Sequence, residues 1–132
     1  NDEYGHVNNV VYYSLFDSAV NGWLLEATGL DIRSLPAIGV VAETSCRYLR
    51  QLSFPDVVQI GLGLERVGRT SVVYRLAVFR EDGTGALDPS PHALGRFVHV
   101  YVDARTRHPV PIPDAVAAAL AALTGPPPGR TR

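Results

Sequence analysis

The sequence predicts an α+β domain in which an antiparallel sheet packs on one main helix. Three observations predict this class: a long amphipathic stretch from Val10 to Thr28, four later segments that alternate apolar and polar residues, and a short helical pattern after them. Elements segregated in this order, rather than interleaved, are typical of α+β domains. The 132 residues are most simply one domain with a single core.

The first helix is predicted from apolar residues that recur at steps of three and four. These positions give it a broad apolar face, which is the pattern of a helix lying on a core. Asn8 or Asn9 stands where an N-cap belongs, and Gly29 stands where a helix commonly stops. The apolar positions are Tyr12, Phe16, Ala19, Val20, Trp23 and Ala27.

Four strands are predicted from period-two alternation over residues 40–48, 58–65, 72–78 and 98–102. In the first strand, the alternation places Val40 on the same face as Cys46 and Tyr48. In the fourth strand, the alternation predicts a buried face formed by three valines at 98, 100 and 102. The link between the second and third strands is short enough for an antiparallel hairpin.

The rest of the chain is assigned to a loop, a second helix and a tail. Glycine and proline mark residues 81–91 as a loop. Asp114 to Leu123 is predicted to be helical, with Pro113 or Asp114 at its start. Residues 124–132 are expected to be a disordered tail, so the predicted domain spans residues 1–123.

Composition excludes several classes of function. A net charge of −1 gives no electrostatic basis for nucleic-acid binding. The single cysteine, Cys46, cannot form an internal disulfide, and no apolar run reaches membrane length, so we expect a cytoplasmic protein with no membrane span. The four histidines lack metal-site spacing, and we expect neither a metal nor a separate cofactor. The sequence contains no G-x-S-x-G motif, which a serine hydrolase would be expected to have.

The polar cluster from Asp2 to Asn9 precedes the most hydrophobic helix. The first amides of a helix have no internal partners and suit a developing negative charge, such as the oxyanion of an attacked carbonyl. Gly5 permits a tight turn, and Asp2 could act as nucleophile or general base. The same residues also fit an ordinary polar helix start. From spacing alone, both interpretations stay open.

A resemblance favours the first interpretation. Residues 2–9, DEYGHVNN, followed by Tyr12-Tyr13 and Phe16-Asp17, closely resemble the D-x-x-G-H-V-N-N-x-x-Y-x-x-x-F-[DE] signature of hotdog-fold acyl-CoA thioesterases, in particular the 4-hydroxybenzoyl-CoA thioesterase-like group. The resemblance implies a long helix wrapped by an antiparallel sheet of five or more strands. Only four strands are predicted here, so we expect the first one upstream of residue 1.

The resemblance also implies roles for individual residues. Asp2 matches the catalytic carboxylate of the family, and Asn9 matches the residue whose backbone N–H binds the thioester carbonyl. Gly5 matches the turn, and His6 matches a position that could orient the acid or the water. Glu43 and Asp17 are reserve candidates for the carboxylate, because some members use a glutamate elsewhere.

The substrate of such an enzyme would be an acyl thioester of coenzyme A. Tyr12 and Tyr13 are expected beside the acyl group, and the turn Arg69-Thr70-Ser71 together with Arg105 is expected to bind the phosphates. A homodimer or homotetramer, with the active site completed across the interface, is implied by the resemblance. Two alternatives remain: a thioesterase that acts on an acyl carrier protein, and a non-catalytic acyl-binding module.

Overall fold

The computed structural model describes residues 2–31, 34–52 and 56–124, with side chains from Val10 onward. The element order is one long helix, four strands and a short helix, which confirms the predicted α+β class. The tail was predicted to begin at Thr124, but Thr124 is the last residue of the short helix; residues 125–132 of the predicted tail lie outside the described residues. The elements are α1 (Asp2–Thr28), β1 (Ala37–Tyr48), β2 (Val58–Val67), β3 (Ser71–Arg80), β4 (Ala93–Asp103) and α2 (Asp114–Thr124).

The four described strands form one antiparallel sheet in the order β1-β4-β3-β2. The β2–β3 connection is the predicted hairpin, and its turn is closed by the Gly68 amide, which donates to the Ser71 carbonyl at 2.8 Å. The first and last strands of this order have only one neighbour each among the described residues. Within the described residues, β1 and β2 are therefore the edge strands of the sheet.

The core lies between α1 and one face of the sheet, which we call the inner face. Tyr12, Phe16, Val20 and Leu24 recur every four residues along α1 and are buried against it. The contact is closest at Gly95 in β4, where a Cβ atom would overlap the Phe16 ring. The absence of a side chain at residue 95 is therefore what lets the helix lie directly on the sheet.

The prediction for the faces of β1 was wrong at its start. The register shifts between Val41 and Glu43, so that Val40 pairs with Val100 while Cys46 pairs with Gly95. Cross-strand partners share a face, and Val100 and Gly95 point to opposite faces of β4. A β-bulge thus reverses the alternation, and Val40 lies on the outer face.

The prediction for β4 identified the strand but not its buried side. The inner face carries Gly95, Phe97, His99 and Tyr101, whereas the valine series lies on the outer face. Val98 and Val100 are only half-buried there. Larger aromatic side chains bury more area against α1 than valines do, which accounts for this orientation.

The helix also starts earlier than predicted. It begins at Asp2, so Asn8 and Asn9 lie inside it and neither is an N-cap. No proline interrupts residues 2–9, so nothing in the sequence prevents the helix from extending back to Asp2. An amide inside a helix bonds to the carbonyl four residues earlier, which applies to Asn9 in this conformation.

Candidate functional site

The four predicted catalytic residues all lie in the first turns of α1. Gly5 and His6 follow Asp2 by three and four residues and precede Asn9 by four and three, so the four positions share one side of the helix. Phe16 lies seven residues beyond Asn9 and continues the same side, which is the one packed on the sheet. The side chains of these four residues lie outside the described part of the chain.

Tyr12 and Tyr13 lie directly after this segment and differ in their surroundings. The Tyr12 ring is buried, with its centroid 5.1 Å from that of Tyr48 at the end of β1. Tyr13 is 41% exposed, and its ring centroid lies 5.9 Å from that of Phe97. Tyr13 is therefore the more exposed of the two side chains.

The predicted phosphate-binding residues lie together at the opposite end of the sheet. The carbonyls of Arg69 and Thr70 accept from the amides of Ile112 and Tyr101, which ties the β2–β3 turn to β4 and the segment beyond it. Arg69 and Arg105 are exposed, and the Arg105 amide donates to the Asp103 carboxylate at 2.8 Å. Both guanidinium groups are thus held on well-anchored turns with access to solvent.

One chain does not bring these two groups together. Tyr12 packs on Tyr48, the last residue of β1, whereas Arg105 follows Asp103, which pairs with Ala37, the first residue of β1. Eleven residue steps of β-strand span about 35 Å. The start of α1 and the Arg105 turn therefore lie at opposite ends of the subunit.

The two reserve carboxylates have structural partners. Glu43 is on the outer face, where it pairs with Arg96 at 3.3 Å, and its side chain is 62% exposed. Asp17 is half-buried on α1 and accepts from the Asn21 amide at 3.1 Å. Glu43 therefore lies on the face of the sheet away from α1, while Asp17 borders the inner face.

A polar cluster on the inner face was missed by the sequence predictions. The Tyr74 hydroxyl and His99 Nδ1 are buried and have no hydrogen-bond partner among the described residues. Their rings meet edge to face with centroids 5.8 Å apart, and Tyr101 adds a third ring 6.3 Å from His99. The signal was present in the sequence as aromatic-type side chains at 97, 99 and 101, which alternate with the valines of β4.

Burial determines how these groups ionise. Desolvation lowers the pKa of His99 to about 4, and the negative charge of Asp17 opposes that shift only in part. Desolvation also raises the pKa of Tyr101 to about 12, and that of Tyr74 rises for the same reason. Near neutral pH the cluster is therefore uncharged and consists of neutral donors and acceptors beside one carboxylate.

Among the described residues, no group of His, Cys, Asp or Glu has an arrangement that could hold a metal ion. None of the described helices combines the length and apolarity needed to cross a membrane. Cys46 is half-buried on the inner face, where desolvation raises the pKa of its thiol to about 11, so it is mostly protonated near neutral pH.

Comparison with known proteins identifies the family and the fold. The family model described as the thioesterase-like superfamily matches residues 1–120. The crystal structure of protein PA5185 from Pseudomonas aeruginosa PAO1 is 46% identical, with a TM-score of 0.79 over 89% of this chain and 79% of that one.

Two further solved structures share the fold at low sequence identity. Protein SAV2348 from Staphylococcus aureus, solved in complex with CoA, is 20% identical with a TM-score of 0.75, over 92% of this chain and 74% of that one. A 4-hydroxybenzoyl CoA thioesterase complexed with 4-hydroxybenzoyl CoA is 16% identical with a TM-score of 0.68, over 83% of this chain and 81% of that one. The predicted hotdog fold is confirmed by these likenesses.

Proposed function

We propose that this chain, which belongs to the thioesterase-like superfamily and is a thioester hydrolase, cleaves acyl-CoA to a carboxylic acid and free CoA. Two observations support CoA as the thiol component. Relatives of the same fold were solved with CoA and with an acyl-CoA. The exposed Arg69 and Arg105 offer guanidinium groups, which bind phosphate through paired hydrogen bonds.

In the proposed reaction, Asp2 supplies the carboxylate. As a general base it removes a proton from water while the water oxygen bonds to the thioester carbon; as a nucleophile it bonds to that carbon itself. The carbonyl π electrons move to oxygen, and a backbone amide at the start of α1 stabilises the resulting oxyanion. Collapse of this intermediate breaks the carbon–sulfur bond, and the thiolate takes up a proton. On the general-base route this step releases the carboxylic acid directly. On the nucleophilic route it leaves a mixed anhydride on Asp2, which a water molecule then hydrolyses to the acid and the free Asp2 carboxylate.

The resemblance assigns the oxyanion amide to Asn9, which requires a local change at the start of α1. With the helix beginning at Asp2, the described amides without an intrahelical partner are those of residues 2–4. For the Asn9 amide to bind an oxyanion, its hydrogen bond to the Gly5 carbonyl must open, so that Asn9 is among the first four donors of a shorter α1. We propose that this change accompanies assembly of the site with substrate or a second subunit.

A second subunit would also bring the two ends of the site together. β1 is an edge strand, and antiparallel pairing of two β1 edges would place the first residues of one strand beside the last residues of the other. Arg105 of the partner subunit would then lie near Tyr48 and Tyr12, next to the start of α1. We propose a homodimer of this kind as the catalytic unit.

Substitution of Asp2 tests the chemistry. With a panel of acyl-CoAs, Asp2→Asn should lower kcat by at least about a hundredfold, the usual contribution of a positioned base. Glu65→Gln, which neutralises a carboxylate on the outer face, is the matched control and should retain wild-type turnover. Wild-type rates in Asp2→Asn would refute the role of Asp2, and turnover of acyl carrier protein thioesters alone would refute CoA.

Mixing of two variants tests the shared site. Arg105→Ala should raise KM about tenfold by loss of a charged hydrogen bond, and co-refolding it with Asp2→Asn should restore activity, because each heterodimer contains one site with both wild-type residues. Activity that equals the average of the two separate variants would exclude a site shared between subunits.

A further inference from the structure

Two rows of side chains face each other where α1 lies over β4. The rows are joined by the contact between the Tyr13 and Phe97 rings. The helix row is exposed or half-buried, and we call it the wall. The strand row is buried, and we call it the floor. The helix row is Tyr13, Asp17 and Asn21, and the strand row is Phe97, His99 and Tyr101.

The floor contains hydrogen-bonding capacity that the described residues do not use. The Tyr74 hydroxyl and His99 Nδ1 are both buried and unpaired, although their rings are in contact. One such atom without a hydrogen-bond partner lowers the free energy of unfolding by about 1–3 kcal/mol. Groups of this kind in a native protein call for a specific explanation, such as a bound water or a ligand.

Gly39 on the edge strand β1 keeps one side of this cluster free of side chains. A Cβ atom at residue 39 would lie 3.2 Å from His99 Nδ1 and 3.2 Å from Tyr101 Cζ. Gly39 is itself exposed. Glycine within a strand often marks a position where another group approaches closely, and here the approach leads to the imidazole.

The distance from the cluster to the proposed reaction centre matches the length of an acyl chain. Asp17, which borders it, follows Asn9 by eight residues, so the two are about 12 Å apart along the helix axis. A medium-chain acyl group whose carbonyl is held at Asn9 can span that distance along the wall formed by Tyr13. The far end of such a chain would meet Tyr74 and His99.

We propose that Asp17, Tyr74 and His99 bind a hydroxyl group at the far end of the acyl chain, and that this thioesterase prefers hydroxylated medium-chain substrates. A hydroxyl donates one hydrogen bond and accepts another, and so can satisfy both unpaired atoms. A terminal methyl group satisfies neither. A terminal carboxylate is disfavoured, because Asp17 already supplies negative charge there.

Matched substrates test this preference, which rests on the proposed function. We expect octanoyl-CoA to be hydrolysed with about tenfold lower kcat/KM than 8-hydroxyoctanoyl-CoA, since one buried neutral hydrogen bond is worth about a factor of ten. Tyr74→Phe and His99→Phe should each bring the ratio of the two kcat/KM values close to one. Tyr48→Phe removes a phenol that is 42% exposed at the end of β1, away from the cluster, and should keep the wild-type ratio of the two kcat/KM values.

Binding of the product acids separates this inference from the proposed reaction. In Asp2→Asn, 8-hydroxyoctanoate should raise Tm more than octanoate does, and Tyr74→Phe in that background should remove the difference. Such a result with no thioester turnover in wild type would refute the proposed reaction and retain the binding site. Equal kcat/KM values in wild type, or a ratio unchanged in both Tyr74→Phe and His99→Phe, would overturn the inference.

Discussion

His92 and His99 are both buried in the sheet region, yet one is fully paired and the other is not. His92 Nε2 lies 2.9 Å from the Asp88 carboxylate, and its Nδ1 lies 3.3 Å from the Gln51 carbonyl. His99 lies among three aromatic rings, and its Nδ1 has no partner among the described residues. The first histidine connects segments of the fold, whereas the second retains unused hydrogen-bonding capacity.

This difference separates a structural role from a proposed functional one. His92 also accepts, through its carbonyl, from the amides of Leu49 and Arg50, and Asp88 accepts from Arg80 at 3.1 Å. These hydrogen bonds therefore connect the end of β1 to the segment between β3 and β4. The buried Nδ1 of His99 connects no described segments of the fold in this way, which is why we assign this atom to a ligand.

The largest expected effect is the pH dependence that His99 imposes on stability. Its pKa is about 4 in the folded protein against 6.5 in the unfolded chain, so its contribution is fully present above pH 6.5 and is lost as the pH falls toward 4. The total loss is about 3 kcal/mol. Urea unfolding between pH 7 and pH 4 should show a smaller loss in His99→Phe than in wild type; parallel curves would contradict the assignment.

The next largest effect is expected at His92. Replacement by Phe leaves the Asp88 carboxylate and the Gln51 carbonyl without their imidazole partner, and should lower the free energy of unfolding at pH 7 by about 2 kcal/mol. His99→Phe makes the same chemical change at a site that lacks partners, and serves as the control. If His99→Phe were as destabilising as His92→Phe in urea unfolding at this pH, the distinction between the two sites would be wrong.

The smallest effect is expected from the Tyr74 hydroxyl. Removal of an unpaired buried hydroxyl should leave stability unchanged or raise it by about 0.5–1 kcal/mol, because the desolvation cost disappears with the group. Thermal unfolding of Tyr74→Phe without ligand measures this change. A loss of more than about 1 kcal/mol would indicate that the hydroxyl has a partner, such as a buried water.

Periodicity predicted the buried face correctly in β2. The inner face of β2 follows from the alternation of Val58, Ile60, Leu62 and Leu64, and each of these residues has a β3 partner on the same face. β1 failed at Val40, because a bulge adds one residue and nothing in the alternation marks its position. The prediction of the buried face of β4 was wrong for another reason. Both faces of that strand carry apolar side chains, so the valines alone do not identify the buried one.

The sequence alone determined the α+β class, the order of the elements and, through the residue 2–17 motif, the family. It determined the buried side of α1 only in part, because Leu24 is buried and was not among the predicted positions, while Ala27 is exposed. Tertiary structure decided which side of β4 meets the helix and where His99 and Tyr74 come together. It also decided that Arg105 lies far from the start of α1 within one chain. Periodicity records which residues avoid water along a single element, whereas contacts between elements depend on register, bulges and the choice of partner strand, which only the packed sheet defines.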